Sequence, residues 1–269
     1  MAYEQILYEV KDRIATITLN RPERLNAWTD TIAEEVYAAM RAADTDKEVR
    51  VIILTGAGKG FCAGGDIGKF ADTTPYGLIH KLPRPFDMHV RADYQTRASW
   101  IPTVSKPVIA MINGPAAGLG LVHALFCDLR FASEDAVMTT AYSRIGVAGE
   151  YGMAWILERI VGHANALDLL LSARKVRGQE ALRLGLVNQI HPADQLKEAT
   201  YAYARELAEK CSPSAMRLIK RELYEVPFQT LAEAVIKASD DMYATAASAD
   251  FAEGTKAFME KRPPQFTGE

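Results

Sequence analysis

The sequence predicts an α/β protein built on a parallel sheet and ending in a helical region. Three observations carry this. Val51-Ile52-Ile53-Leu54-Thr55 and Val108-Ile109-Ala110-Met111-Ile112-Asn113 are short, continuous apolar runs, the pattern of strands buried on both faces. Each run enters a glycine-rich loop, and the second loop leads directly into an apolar helical stretch at 121–127. From Asp194 onward the pattern is helical throughout.

The elements follow in order. Residues 6–10 and 14–19 flank Lys11-Asp12-Arg13 and read as a β-hairpin, ended by Asn20-Arg21-Pro22. Thr31, with Glu34 three residues on, reads as a capping box opening an amphipathic helix to about Ala43. Asp44-Thr45-Asp46-Lys47 is its exit turn. After the strand at 51–55, Gly58, Gly60, Gly64 and Gly65 let the backbone turn sharply and approach a ligand. Their spacing fits neither a P-loop nor Gly-x-Gly-x-x-Gly, so nucleotide phosphate is not the obvious target. Beyond Asp66 the pattern loosens, with breakers at 72–77 and 82–85; a helix is predicted at 88–100, stopping before Pro102. Residues 69–97 carry Tyr76, Leu78, Ile79, Phe86, Met88 and Tyr94, which suit either a pocket wall or a lid packed on itself.

Short strands are expected at 129–132 and 136–139, then a loop of small residues from Tyr142 to Gly152. Helices follow at 153–160, 163–171 and 178–184, and a last strand at 187–190. The terminal helices fall at 195–210, 213–224 and 230–246, with Pro213 suited to a first helical turn.

Composition narrows the function classes. The 269 residues carry 31 basic and 34 acidic side chains, a net charge of −3, so neither nucleic acid nor an anionic membrane is expected as the main partner. No apolar run is long enough to span a bilayer, and residues 1–5 show no secretory pattern. Cys62, Cys127 and Cys211 are odd in number and widely spaced, without a metal or redox motif. Reduced thiols in a cytoplasmic protein are the simplest reading. Cys62 reads as a packing residue, since no adjacent His or Lys favours its thiolate.

The two glycine loops carry the chemistry. Ligands of open α/β folds bind outside the carboxyl ends of strands, where both loops sit. Each loop exposes N–H groups, and the second opens a helix whose N-terminus adds positive potential. Two such loops converging would present two N–H groups to one oxygen, an oxyanion hole.

A set of stretches then resembles the crotonase superfamily, which includes enoyl-CoA hydratases and enoyl-CoA isomerases. They are Leu19-Asn20-Arg21-Pro22, Leu25-Asn26-Ala27, Phe61-Cys62-Ala63-Gly64-Gly65-Asp66-Ile67, Asn113-Gly114, Cys127-Asp128, Gly185-Leu186-Val187-Asn188, Glu253-Gly254 and Phe258-Met259-Glu260-Lys261-Arg262. The resemblance implies a ββα spiral core over residues 1–193 and a helical trimerisation region over 194–269. It implies an acyl-CoA thioester as substrate, no cofactor beyond its CoA moiety, no metal, and a homotrimer or dimer of trimers. By position in the motifs, the backbone N–H groups of Ala63 and Leu119 are the oxyanion donors.

The family's hydratases use two glutamates, and their positions fall on Val122 and Tyr142 here. The carboxylate left in the region is Glu150, at a position where several isomerases and a dehalogenase of the family carry Glu or Asp. A single carboxylate suits a double-bond shift, taking a proton from C2 and returning it at C4; the alternatives are hydration, another reaction of the family such as C–C hydrolysis or dehalogenation, or a non-catalytic homologue that binds CoA or RNA. Met153, Trp155 and Ile145 are candidates for the apolar surroundings that raise its pKa. The alternative is a solvated glutamate before a helix. Tyr142, Tyr151 and Val122 are placed in the substrate pocket, which the stretch 69–97 helps shape in the family. His123 reads as a packed core histidine, and Asp66 and Asp128 as structural, Asp66 through bonds within its own loop. For CoA the resemblance points to Arg24 and Ala27 in the stretch beside the phosphates, to the loop Ala63, Gly65, Asp66 and Ile67 at the adenine, and to Phe258 and Lys261, which in the family often reach over from a neighbouring subunit.

Overall fold

The computed structural model describes residues 3–66, 87–88 and 90–269. Strands β1 (Ile6–Lys11) and β2 (Ile14–Leu19) form an antiparallel hairpin. Asp12 and Arg13 both take left-handed φ values (52° and 62°), the geometry of a tight primed turn whose twist matches the strands. Strands β3 (Val51–Gly56), β4 (Val108–Ile112), β6 (Leu129–Ser133) and β9 (Gln189–His191) extend the sheet in parallel, in the order β1-β2-β3-β4-β6-β9. A smaller sheet joins β5 (Ala116–Ala117), β7 (Val137–Thr139) and β8 (Val176–Arg177) in that order.

Alternation along β3 explains its unbroken apolar run. Ile52 and Leu54 point into the main core, which α1 (Asp30–Thr45) and α2 (Leu119–Phe126) cover. Val51 and Ile53 point to the opposite face, where Ile109, Met111 and Phe131 meet Leu196, Ala204 and Ala208 of α6 (Leu196–Lys210). Helices α3 (Met153–Val161), α4 (His163–Ser172) and α5 (Gly178–Arg183) lie between α2 and α6 in the chain. The division expected at 193/194 assigns α6 to the terminal region; its apolar face lies on the sheet. Beyond it come α7 (Pro213–Glu225), α8 (Leu231–Ala246) and α9 (Ala249–Glu260). On these three, Ile219, Leu223, Leu231, Val235, Ile236, Phe251 and Phe258 are exposed.

Three sequence expectations are corrected. Helix α1 starts from Thr29, not Thr31: the Thr29 Oγ1 accepts the N–H of Ile32 at 3.1 Å. The helix expected at 88–100 is instead a short 3-10 turn, Ala92–Tyr94, within irregular chain among the described residues. Polar side chains there satisfy the backbone outside a helix. Gln95 donates to the carbonyls of Asp87 and Val90, and Ser99 Oγ donates to that of Asp93. Helix α9, opened by Ser248, lies beyond the last helix expected, at 230–246. No helix among the described residues is long and apolar enough to cross a membrane.

Candidate active site

The glycine loop after β3 is held from two sides. Asn26, fully buried, donates its side-chain amide to the carbonyls of Ala57 (2.9 Å) and Gly60 (2.8 Å) and accepts the Arg21 N–H (2.9 Å). On the other side Cys62 pairs with β5: its N–H donates to Pro115 O, and the Ala117 N–H donates to Cys62 O, both at 3.0 Å. The second glycine loop packs so tightly there that a Cβ at Gly120 would lie 2.2 Å from the Cys62 carbonyl oxygen. Burial pushes the Cys62 thiol up to about 12, which makes it a packing residue.

Which amides remain free is decided by distant partners. Trp28 bridges Gly65: the Trp28 N–H donates to Gly64 O (2.7 Å) and the Asp66 N–H to Trp28 O (3.1 Å). The Gly64 carbonyl and the Asp66 N–H are thereby engaged, and the N–H of Gly65 points away from Trp28. The expected donor Ala63 is not available: its N–H donates to the Leu25 carbonyl at 3.0 Å. Among the described residues, no acceptor meets the N–H of Gly65 or of Leu119. Leu119 is the first residue of α2, where an amide has no partner within the helix. The two loops touch one residue earlier, since a Cβ on Gly118 would lie 4.0 Å from Gly64 Cα.

Glu150 lies just before α3, its carbonyl accepting the Met153 N–H at 3.0 Å. Its carboxyl is half-buried, and desolvation raises its pKa above the usual glutamate value while the Arg97 guanidinium opposes the rise. Tyr142 (4% exposed) and the half-buried Tyr151 both feel the Glu150 charge, and the Tyr142 hydroxyl is buried beside the Glu150 backbone. Ile145, expected to help bury Glu150, is 60% exposed, whereas Met153 is fully buried.

These features sit on a chain that the family described as enoyl-CoA hydratase/isomerase matches over residues 9–269. The chain belongs to that family. It is 34% identical to 1,2-epoxyphenylacetyl-CoA isomerase of Escherichia coli strain K12, over 98% of this chain and 99% of that one. It is 36% identical to a probable enoyl-CoA hydratase of Rhodobacter capsulatus, over the full length of both. Among solved structures, an enoyl-CoA hydratase of Bacillus anthracis superposes with a TM-score of 0.89 at 29% identity, covering 99% of this chain and 100% of that one. The architecture is therefore the crotonase fold, and the protein is an acyl-CoA enzyme of the enoyl-CoA hydratase/isomerase family.

The other site residues of this family member fall as follows. Val122 has no exposed surface and is packed in the main core, so it presents no face to a ligand, contrary to its expected place in the substrate pocket. His123 stacks on Trp28 with ring centroids 3.7 Å apart, and its Nδ1 meets Leu119 O at 2.7 Å. Burial lowers its pKa to about 4, so it is neutral at physiological pH, as a packed core histidine should be. Among the described residues the side chain of Asp66 meets the Arg21 guanidinium, through Oδ2 at 3.1 Å, where bonds within its own loop were expected. Arg21 also donates to Ala27 O at 2.9 Å, which ties the first motif to the glycine loop. Arg24 is exposed at the end of a 3-10 turn, beside Ala27, whose N–H donates to its carbonyl. Phe258, 82% exposed, and Lys261 lie at the end of α9, which packs on α8. Ile67, Tyr76, Leu78, Ile79 and Phe86 lie outside the described residues.

Sequence reasoning missed two residues. Arg97, paired with Asp30 at 2.9 Å, is the cation acting on Glu150. Gly65 was placed with the adenine rather than the oxyanion, because the carbonyl that occupies Ala63 is remote in sequence.

Proposed function

We propose that this family member shifts the double bond of an enoyl-CoA, with Glu150 as the proton-transferring base. The observation that carries this reading is the half-buried, pKa-raised carboxyl of Glu150 at a site where the two hydratase glutamates are replaced by Val122 and Tyr142. Glu150 takes a proton from C2 of a 3-enoyl thioester. The electron pair moves onto the thioester oxygen, where the N–H groups of Gly65 and Leu119 stabilise the developing charge. The proton then returns at C4, and the double bond comes to rest between C2 and C3. Glu150 begins and ends the cycle ionised, and no water is added.

The test is to supply the protein separately with a 3-enoyl-CoA and a 2-enoyl-CoA and follow both products. The reading expects the conjugated 2-enoyl thioester from the first and no 3-hydroxyacyl thioester from either. Hydroxyacyl product from the 2-enoyl substrate supports hydration instead, the reaction named for the Rhodobacter relative.

The pH dependence has a defined sign. The base works only when ionised, so kcat/KM falls on the acid side as Glu150 is protonated. Because its pKa is raised, that limb lies above the usual glutamate range. Arg97 favours the charged form, so Arg97→Met should move the acid limb to higher pH, read from the pH profile of kcat/KM. A limb that stays put or moves down removes Arg97 from the site's electrostatics.

The CoA seat in this proposal is Arg24, Ala27, Gly65 and Asp66, with Phe258 and Lys261 supplied by a neighbouring copy. The exposed apolar side chains of α7–α9 support assembly into a trimer or dimer of trimers. Light scattering on the purified chain should give three or six copies, and Ile236→Asp should lower that number. A monomeric mass contradicts the proposal.

A further inference from the structure

We propose that a cavity at the opposite end of β3 from the glycine loop binds a small oxyanion of the phosphate class. It has a volume of about 310 Å³ and lies between the exit of α1, the start of β3, the first turn of α7 and residues 267–269. Its basic lining residues are Lys47, Arg50, Lys106 and Arg217, and its acidic ones Asp44, Asp46 and Glu269.

Arg50 is the decisive group. It is only 8% exposed, and Nη2 donates to Phe266 O at 3.0 Å, but Nη1 is buried without a hydrogen-bond partner. No carboxylate among the described residues pairs with it. A guanidinium stays charged, and burying it unpaired is costly. Burial, followed by the charge of Arg13, pushes its pKa down. Lys106, half-buried, gives Nζ to the carbonyls of Ala43 (2.6 Å) and Asp46; burial lowers its pKa, the charges of Asp44 and Asp46 oppose that, and Arg50 reinforces it. Arg217 is exposed at the rim and forms no ion pair among the described residues.

The nearby acids are committed elsewhere. Asp44 Oδ1 accepts the Ser105 N–H and Oγ at 2.8 and 2.6 Å. Asp46 Oδ1 accepts the Glu48 N–H, and Glu269 faces Lys47 at 3.7 Å. Asp250 acts on Arg50, yet its oxygens accept from Ser212, Ser214, Thr267 and Gly268. The thirteen-residue helix α7 adds its positive end: Ser212 caps the Ala215 N–H, and no acceptor among the described residues meets that of Ser214. A tetrahedral oxyanion offers several acceptors and up to two charges to this set, matching a guanidinium fork better than a halide does. The site is independent of the proposed reaction.

Inorganic phosphate titrated calorimetrically into the full chain, at ionic strength held constant with chloride, tests this. Saturable binding at one site per chain is expected, unchanged by saturating CoA. Arg50→Met should weaken it about tenfold or more, the loss of one charge-assisted bond, and Arg217→Gln should weaken it measurably, both without changing turnover. A small phosphate monoester used in place of phosphate shows whether the occupant is the free ion or a phosphorylated metabolite; binding of either supports the site. Absence of saturable binding, its loss in the presence of CoA, or unchanged affinity in the variants overturns it. If Arg50→Met does not fold, the exposed Arg217→Gln decides alone.

Discussion

Glu150→Gln is expected to lower turnover of a 3-enoyl-CoA by about 10²–10⁴-fold, the usual contribution of a positioned general base. Gln keeps the shape and removes the proton acceptor. Substrate affinity, measured by titrating a CoA ester, should change little, because the CoA seat and the oxyanion amides are backbone or distant groups. The loss should therefore fall on kcat rather than on binding. The Gly65 and Leu119 amides remain in place, so residual activity above the uncatalysed rate is also expected. Full activity in this variant removes Glu150 as the base. An equal loss of binding and turnover makes it a structural residue at the head of α3.

The second large effect concerns stability. Asp128, at the turn between α2 and β6, accepts the Val108 N–H at 2.7 Å, the Lys220 Nζ at 2.7 Å and the Tyr224 hydroxyl at 3.0 Å. Lys220 is 8% exposed, so this carboxylate fastens α7 to the start of β4. Asp128→Ala leaves a buried ammonium without a carboxylate among the described residues, held by the Lys106 carbonyl at 3.0 Å and lying 6.0 Å from the centre of the Tyr224 ring. Breaking such a pair from one side costs about 3–5 kcal/mol. The expected result is a lower denaturant midpoint at fixed protein concentration. Adding Lys220→Met should recover much of the loss, since an apolar replacement of a whole buried pair is often nearly neutral. If the single and double variants are equally destabilised, the ion pair is not the cause.

Much of this molecule was legible in its sequence. The β3 and β4 runs could hardly be anything but buried strands, and the glycine loops after them mark the ligand end of the sheet. Helices with strong starts, such as α7 with Pro213 at its first turn, fell where expected. What failed depended on contacts made across the chain. Thr29 and Thr31 are the same residue type two positions apart, and the Trp28–Gly65 bridge just before the helix goes with the choice of Thr29 as the cap. The motif points to Ala63 as the donor and puts Gly65 at the adenine; the Leu25 carbonyl, brought in by a left-handed turn at Leu25 and Asn26, takes the Ala63 N–H and leaves that of Gly65. Val122 looked like a pocket residue because a glutamate stands there in hydratases, but an apolar side chain at that place packs into the core. Arg97 carried no local signal at all. Its effect on Glu150 follows only from tertiary packing.

The most direct test is a structure of the protein with an acyl-CoA thioester that cannot be isomerised. The account predicts the thioester oxygen within hydrogen-bond reach, about 2.7–3.1 Å, of both the Gly65 and Leu119 nitrogens, with the Glu150 carboxylate over C2. A thioester oxygen held by other donors, or Glu150 turned to solvent with the acyl chain bound, would contradict it.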